Sequence, residues 1–218
     1  RHPKLTLLPN TRLCRALIGK KEKVKGDDLI CMRDLEHDGI KFVELADSRS
    51  LGRHAETFLS ANLIVDALFG TGLRGEIEGF PARVVDLMNA SRARIVSVDI
   101  PSGVDASTGA VAAHSVSAQV TVTFGTLKAG HVMQPGRLLC GTVRVADIGF
   151  SPDVLDAMEP FGRALTAPEA ARLLPRRVWN AHKNSAGRVF VVASSAGMTG
   201  AAALDRKSTR LNSSHRIR

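Results

Sequence analysis

The sequence predicts an α/β fold built on a doubly wound, mostly parallel sheet. Short apolar, β-branched runs alternate with stretches of helical spacing. Strands separated by helical stretches argue for a parallel sheet covered on both faces. Several runs also end in loops of Gly, Pro and Asp, and ligands of such sheets bind beyond the carboxyl ends of the strands.

The elements follow in order. Residues 13–18 read as a strand ending at Gly19, and 41–45 as a second. The third, 62–69 (N-L-I-V-D-A-L-F), runs into a Gly-rich loop. Helical spacing of Val84, Val85, Leu87 and Met88 predicts a helix over 82–90. The fourth strand, 94–100 (R-I-V-S-V-D-I), is closed by Pro101 and Gly103, and 119–124 and 142–148 are two more. Asp66, Gly70, Asp99 and Ser102 all fall at carboxyl ends of strands.

The texture changes over 151–175, where Pro152, Pro160, Pro168 and Pro175 punctuate the chain. Thr166-Ala-Pro-Glu169 reads as a helix N-cap with Pro in the first turn. This predicts a linker and the start of a second domain. A strand over 188–193 and a run of small residues over 194–203 cannot bury a core of their own. The expected organisation is a first domain over 1–162 and the beginning of a second over 163–204. Residues 205–218 are expected to belong to neither. The string D-R-K-S-T-R-L-N-S-S-H reads as an in-frame translation of a short-read sequencing adapter.

Net charge is +9, but the ends carry it. Residues 1–25 hold eight basic residues and one acidic, and 205–218 hold five and one. The stretch 26–204 holds seventeen basic and nineteen acidic residues. A basic surface that tracks phosphates is spread over a folded face. Tyr is absent as well, leaving little aromatic surface for base stacking. Nucleic acid is therefore not an expected partner. Cys14, Cys31 and Cys140 are odd in number and lack metal-ligand spacing, as in a reducing, cytoplasmic setting. No apolar run reaches the ~18 residues of a membrane span.

Gly70-Thr-Gly-Leu-Arg-Gly75 matches G-x-G-x-x-G, the fingerprint of dinucleotide-binding dehydrogenases. That fingerprint needs a helix starting inside the glycines, so that its N–H groups meet the pyrophosphate. Here Glu76-Ile-Glu-Gly79-Phe-Pro81 follows, and Gly79 and Pro81 are expected to break that turn. Glu76 and Glu78 would also repel a pyrophosphate. The loop still offers backbone N–H groups to a ligand. Asp66 is a carboxylate inside an apolar strand, costly to bury alone. It either caps a loop or pairs with a basic residue, or it ligates a cation. Asp99, followed by Pro101-Ser-Gly-Val-Asp105, repeats the pattern of carboxylate, sharp turn and hydroxyl. Oxygen donors of this kind suit hard cations.

Four motifs in series carry a resemblance. V-D-A-L-F-G-T-G-L-R-G-E (65–76), V-D-I-P-S-G-V-D-A-S-T-G (98–109), T-V-T-F-G-T-L-K-A-G-H (121–131) and P-G-R-L-L-C-G-T-V-R-V-A-D-I-G (135–149) together resemble the NAD(P)H-hydrate epimerase family. The likeness covers 16–149. Residues 182–204 are similar to the opening of ADP/ATP-dependent NAD(P)H-hydrate dehydratases, and the two in this order resemble bifunctional NAD(P)H-hydrate repair enzymes. The resemblance implies a Rossmann-like first domain and a ribokinase-like α/β second one. It implies metabolite repair: epimerisation of the R and S hydrates of NADH and NADPH, and ADP- or ATP-dependent dehydration of the S form. Carried over, Asp66 and Ser102 hold a potassium ion. Gly70, Thr71, Gly72, Leu73, Arg74, Gly75, Glu76 and Asp99 contact the hydrated dinucleotide. Asp99 is then the expected acid/base group, provided burial raises its pKa. Potassium would balance the carboxylates near a diphosphate. A homo-oligomer is the family expectation.

The sequence departs from the family in two places. Nothing in residues 1–15 resembles the family's N-N-G-G-D-G-type loop, and 1–10 match poorly. Lys183-Asn-Ser-Ala186 stands where Gly-rich variants are usual, and the dehydratase's nucleotide site is expected past Leu204. Residues 1–218 are therefore expected to be weak or inactive in epimerisation and inactive in dehydration. Lys128 and His131 either reach the crevice or belong to a solvated loop. His182-Lys183 reads either as a phosphate contact or as a linker charge cluster. Two other functions stand beside the enzyme: a non-enzymatic binding module of the epimerase fold, and an NAD-dependent dehydrogenase.

Overall fold

The computed structural model describes residues 13–39, 42–174 and 179. They fall into two compact units, one ending at Phe161 and the other beginning at Gly162. The expectations for 1–10, 182–183, 188–193, 194–203 and 205–218 lie outside the described residues.

In the first unit β1 (Ala16–Ile18) and β2 (Val43–Leu45) pair in parallel. A four-stranded sheet follows, made of β3 (Leu63–Asp66), β4 (Arg94–Val98), β5 (Val120–Phe124) and β6 (Thr142–Ala146). Its spatial order is β3-β4-β5-β6 and every pairing is parallel. Helices α1 (Asp27–His37), α2 (Ser48–Leu59), α3 (Gly79–Ala90), α4 (Gly136–Leu139) and α5 (Pro152–Ala157) are interleaved with the strands. This is the expected α/β fold. The second unit contributes α6 (Ala167–Leu173), where the Thr166 side chain accepts from Glu169 N, as its sequence predicts.

Every strand is shorter than its expected run, and two boundary differences bear on the site. The run 62–69 stops being a strand at Asp66. Beyond it Phe69 N–H donates to the Ser102 hydroxyl, 2.9 Å away, instead of a neighbouring strand. Helix α3 starts three residues early, so Gly79 and Pro81 open it rather than break it. First-turn N–H groups have no intrahelical acceptor, and Pro there removes nothing the helix uses.

Helices α2 and α3 bury Leu51, Val84, Val85 and Met88 against Ile64 and Ile95 of the sheet. Each such side chain contributes about 1.5–3 kcal/mol relative to exposure. On the opposite face of β3, Leu63 and Val65 are more than half exposed.

The helix-covered face also places the site. Side chains two apart share a face. Along β3 and β4 that face runs from Ile64 to Asp66 and from Ile95 to Ser97, and β5 adds Thr121 and Thr123. The register sets Asp66 beside Ser97 and Ser97 beside Thr121. A buried polar row therefore closes the apolar core at the carboxyl ends of the strands.

Parallel strands are usually joined through a helix. The connection from β4 to β5 contains none. It is an irregular loop with an antiparallel bridge between Val104 and Val111. Ile100, Val104 and Ala106 form a small core of their own with Val111 and Leu139.

Candidate functional site

The buried row is fully paired. Asp66 Oδ2 accepts from Ser97 Oγ at 2.8 Å and Ser102 N at 2.9 Å. Its Oδ1 accepts from Ser102 Oγ at 2.6 Å and, at 3.4 Å, from Leu68 N. A carboxylate offers about four lone-pair sites, so four donors compensate its burial. Of the readings left open for Asp66, no basic partner is found among the described residues; it caps loops through Ser102 N and Leu68 N and takes two serine hydroxyls as well. The carboxylate ties the end of β3 to the turn after β4. Among the described residues, no three His, Cys, Asp or Glu side chains gather as they would around a metal ion.

The turn after β4 is held in an unusual conformation. Asp99 has φ of 65°, the one positive φ among the described non-glycine residues. Asp tolerates this region better than most residues. Its N–H donates to Val122 O at 2.7 Å, and its carbonyl accepts from His131 Nε2 at 2.8 Å. Gly103 completes the turn at φ 98°, where a Cβ would lie 2.3 Å from Ser115 Oγ. Only glycine fits there.

Asp99 is surrounded by donors that the sequence left undecided. Its Oδ1 accepts from Lys128 Nζ at 2.5 Å, Thr123 Oγ1 at 2.8 Å and Phe124 N at 3.3 Å. Burial alone would raise the Asp99 pKa. The Lys128 ammonium, the Thr123 hydroxyl and the Phe124 N–H outweigh it and hold the carboxyl below its ordinary value. The expectation that burial raises this pKa is thereby corrected, because Lys128 stands against the carboxylate.

His131 is buried and bridges both residues. Its Nδ1 accepts from Lys128 N at 3.0 Å, which leaves the hydrogen on Nε2 for the Asp99 carbonyl. Burial pushes its pKa below the ordinary histidine value, so it is a neutral clamp at pH 7. Lys128 and His131 thus belong to the crevice and not to a solvated loop.

The glycine loop is not a helix N-terminus. Gly70 to Gly75 is irregular chain, and α3 begins only at Gly79. The hydride-transfer fingerprint is therefore formal. The loop is braced by Arg74, which donates to Thr71 O and Leu73 O, both at 2.9 Å. Glu76 accepts from Ala113 N at 2.6 Å, and Arg74 lies 3.8 Å from Asp105. These contacts join it to the β4–β5 connection across a cavity of about 120 Å³, lined by Leu73, Gly75, Glu76, Gly103 and Asp105 among others. That volume admits one group of a larger ligand, since whole small-molecule sites span roughly 300–1,000 Å³. Gly70, Thr71, Gly72, Arg74 and Asp99 stand outside this lining.

Sequence reasoning missed Ser97 and Thr123. The available signal was alternation. In R-I-V-S-V and V-T-V-T-F, Ser97, Thr121 and Thr123 take the inward positions of buried strands, where an unpaired hydroxyl is costly.

The sequence profile of the family described as YjeF-related protein N-terminus matches residues 10–130, more than half of the chain. The chain belongs to this family. Among its curated relatives is a bifunctional NAD(P)H-hydrate repair enzyme of Moorella thermoacetica. It is 40% identical over 189 residues, which are 86% of this chain and 36% of the relative. A protein of the same name from Thermofilum pendens is 38% identical over 76% of this chain and 31% of its own length. An NAD(P)H-hydrate epimerase of Oenococcus oeni is 38% identical over 61% of this chain and 59% of its own. The chain thus spans about a third of the bifunctional relatives. The match covers the Asp66–Ser102 joint, the glycine loop, and Asp99 with Thr123, Phe124 and Lys128, and ends one residue before His131.

Proposed function

We propose that residues 1–162 form an NAD(P)H-hydrate epimerase domain and that 163–204 begin an ADP- or ATP-dependent NAD(P)H-hydrate dehydratase domain. The similarity to a bifunctional relative runs over 189 residues, well past the epimerase family match. The observation that carries the epimerase reading is Asp99: a carboxylate fixed at a strand's carboxyl end and bonded through one oxygen only.

Hydration of an enamine puts the hydroxyl on the carbon beside nitrogen. Inverting that carbon requires a bond to break and re-form on the other face. An ionised Asp99 takes the hydroxyl proton, the carbon–nitrogen bond opens to an aldehyde, and the ring nitrogen re-adds to the other face. Asp99 then returns the proton to the alkoxide, so no atom is lost or gained. Gly70, Thr71, Gly72, Leu73, Arg74, Gly75 and Glu76 are the proposed contacts for the remainder of the dinucleotide.

Asp66 and Ser102 are the proposed potassium ligands. Their donor chemistry fits: carboxylate and hydroxyl oxygens stand together, with the Phe69 carbonyl 3.3 Å from the Ser102 hydroxyl. Because all four sites on Asp66 are occupied, ligation requires the Ser102 hydroxyl hydrogen to turn away from it. The ion would supply positive charge beside a diphosphate. Incubating the chain with the R hydrate and following the S form by chromatography tests the reading. Conversion above the uncatalysed rate supports it, and its loss in Asp99→Asn assigns the proton transfer to Asp99; a rate no faster than without protein refutes it.

A further inference from the structure

Lys128 has three N–H groups, and all three are engaged inside the fold. Nζ donates to Asp99 Oδ1, to Thr123 Oγ1 at 2.8 Å and to the Phe124 carbonyl at 3.0 Å. An ammonium has no further donor to offer a substrate. All bonds to the Asp99 carboxylate from the described residues end on Oδ1. Every buried side-chain oxygen or nitrogen among the described residues has a partner. Oδ2 has none among the described residues, and about a fifth of the Asp99 side chain stays exposed (20%).

We propose that Lys128 is the positioning residue of the epimerase site: it binds Asp99 Oδ1 from within and so turns Oδ2 outward to meet the substrate hydroxyl. The proposal rests on the epimerase reading for its substrate and on geometry for the arrangement itself. Lys128 does not touch the substrate. It fixes the rotation of the carboxylate and keeps it ionised at rest, so that it takes the substrate proton before returning it. His131 holds Lys128 through its backbone N–H and Asp99 through its carbonyl, so it sets the spacing of the pair. From α4, Arg137 acts on His131 and further disfavours a second positive charge there. On the β3 side, Asp66 is engaged with Ser97 and Ser102. Lys128 is thus the one cation in contact with the Asp99 carboxylate among the described residues.

The test uses the full chain with carbon-13 in its aspartate carboxyls, assigned by loss of one signal in Asp99→Asn. In the wild type the Asp99 signal should titrate below the ordinary carboxyl range. Lys128→Gln should move that inflection upward, as should Thr123→Val by less, while Lys128→Arg should leave it low. The acid limb of the pH–rate profile should move with it, and kcat should fall more than KM rises. An inflection unmoved in both Lys128→Gln and Thr123→Val overturns the proposal, and a lost fold in one leaves the other decisive. Carboxyl titration needs no turnover. A wild type with the expected titration but no R-to-S conversion removes the epimerase reading alone.

Discussion

Asp66 and Ser102, 36 residues apart in sequence, meet through two hydrogen bonds, one from the backbone N–H and one from the hydroxyl. The same hydroxyl accepts from Phe69 N. One serine therefore joins the end of β3, the start of the glycine loop and the turn after β4. Ser102→Ala should destabilise the first unit by about 1–3 kcal/mol, because it leaves buried groups on both sides without a partner. Urea unfolding of the two proteins measures the difference, and equal midpoints would show that the joint carries no stability.

Potassium should act on the same serine. Raising KCl at constant ionic strength against tetramethylammonium chloride should raise the melting temperature of the wild type, since an ion bound only by the folded state stabilises it. Ser102→Ala should abolish the increment. A wild type equally stable in both salts would remove Asp66 and Ser102 as potassium ligands.

Asp99→Asn separates charge from shape. Asn tolerates the left-handed conformation as Asp does, so the fold should be kept, with the melting temperature lowered at neutral pH by loss of the charged pairing with Lys128. Epimerisation should fall by about 10²–10⁴, the usual contribution of a positioned base. Activity retained at the wild-type rate would mean that Asp99 anchors the substrate without taking its proton.

Acid should weaken the site in two stages. His131 has its folded pKa depressed by burial, so the unfolded chain binds its proton first. The stability tied to neutral His131 is intact above the ordinary histidine range and is lost as pH falls below it. Asp99 follows. Its folded pKa is held low despite burial by Lys128, Thr123 and Phe124. Its contribution is complete above the ordinary carboxyl range and disappears as pH falls through the folded value. Urea midpoints from pH 8 to pH 3 should show both losses, with the first missing in His131→Gln and the second missing in Asp99→Asn.

Gly103→Ala is expected to be more disruptive than its size suggests. The backbone lies at φ 98° and the new methyl would meet Ser115. A cost of about 1–3 kcal/mol follows from the forbidden conformation alone. Displacing Ser102 should lower epimerase activity as well. Gly72→Ala, with open space around its Cβ, is the comparison that should fold normally.

Much of this was legible because strands and their ends are written locally. The apolar runs 62–69 and 94–100 marked the carboxyl edge of a parallel sheet although each overran its strand, and Pro101 and Gly103 marked the turn. What could not be read was pairing across the sheet. Ser97 and Thr123 gain their roles from register, which sets them beside residues 31 and 24 positions away. The sign of the Asp99 shift was lost for the same reason. Burial can be guessed from neighbours in sequence, whereas the approach of Lys128 depends on how a loop 29 residues later folds back. Gly79 and Pro81 misled because a breaker inside a helix is harmless at its start.

The loop from β4 to β5 carries its own apolar knot, Ile100 and Val104 against Val111 and Leu139. A binding loop that must order itself around a ligand reduces apparent affinity by the fraction of time it is misfolded. One already stapled shut from below levies no such conformational tax. Encounter with the dinucleotide should then behave as the meeting of two rigid bodies, with single-exponential association whose observed rate rises linearly with ligand concentration and reaches no plateau.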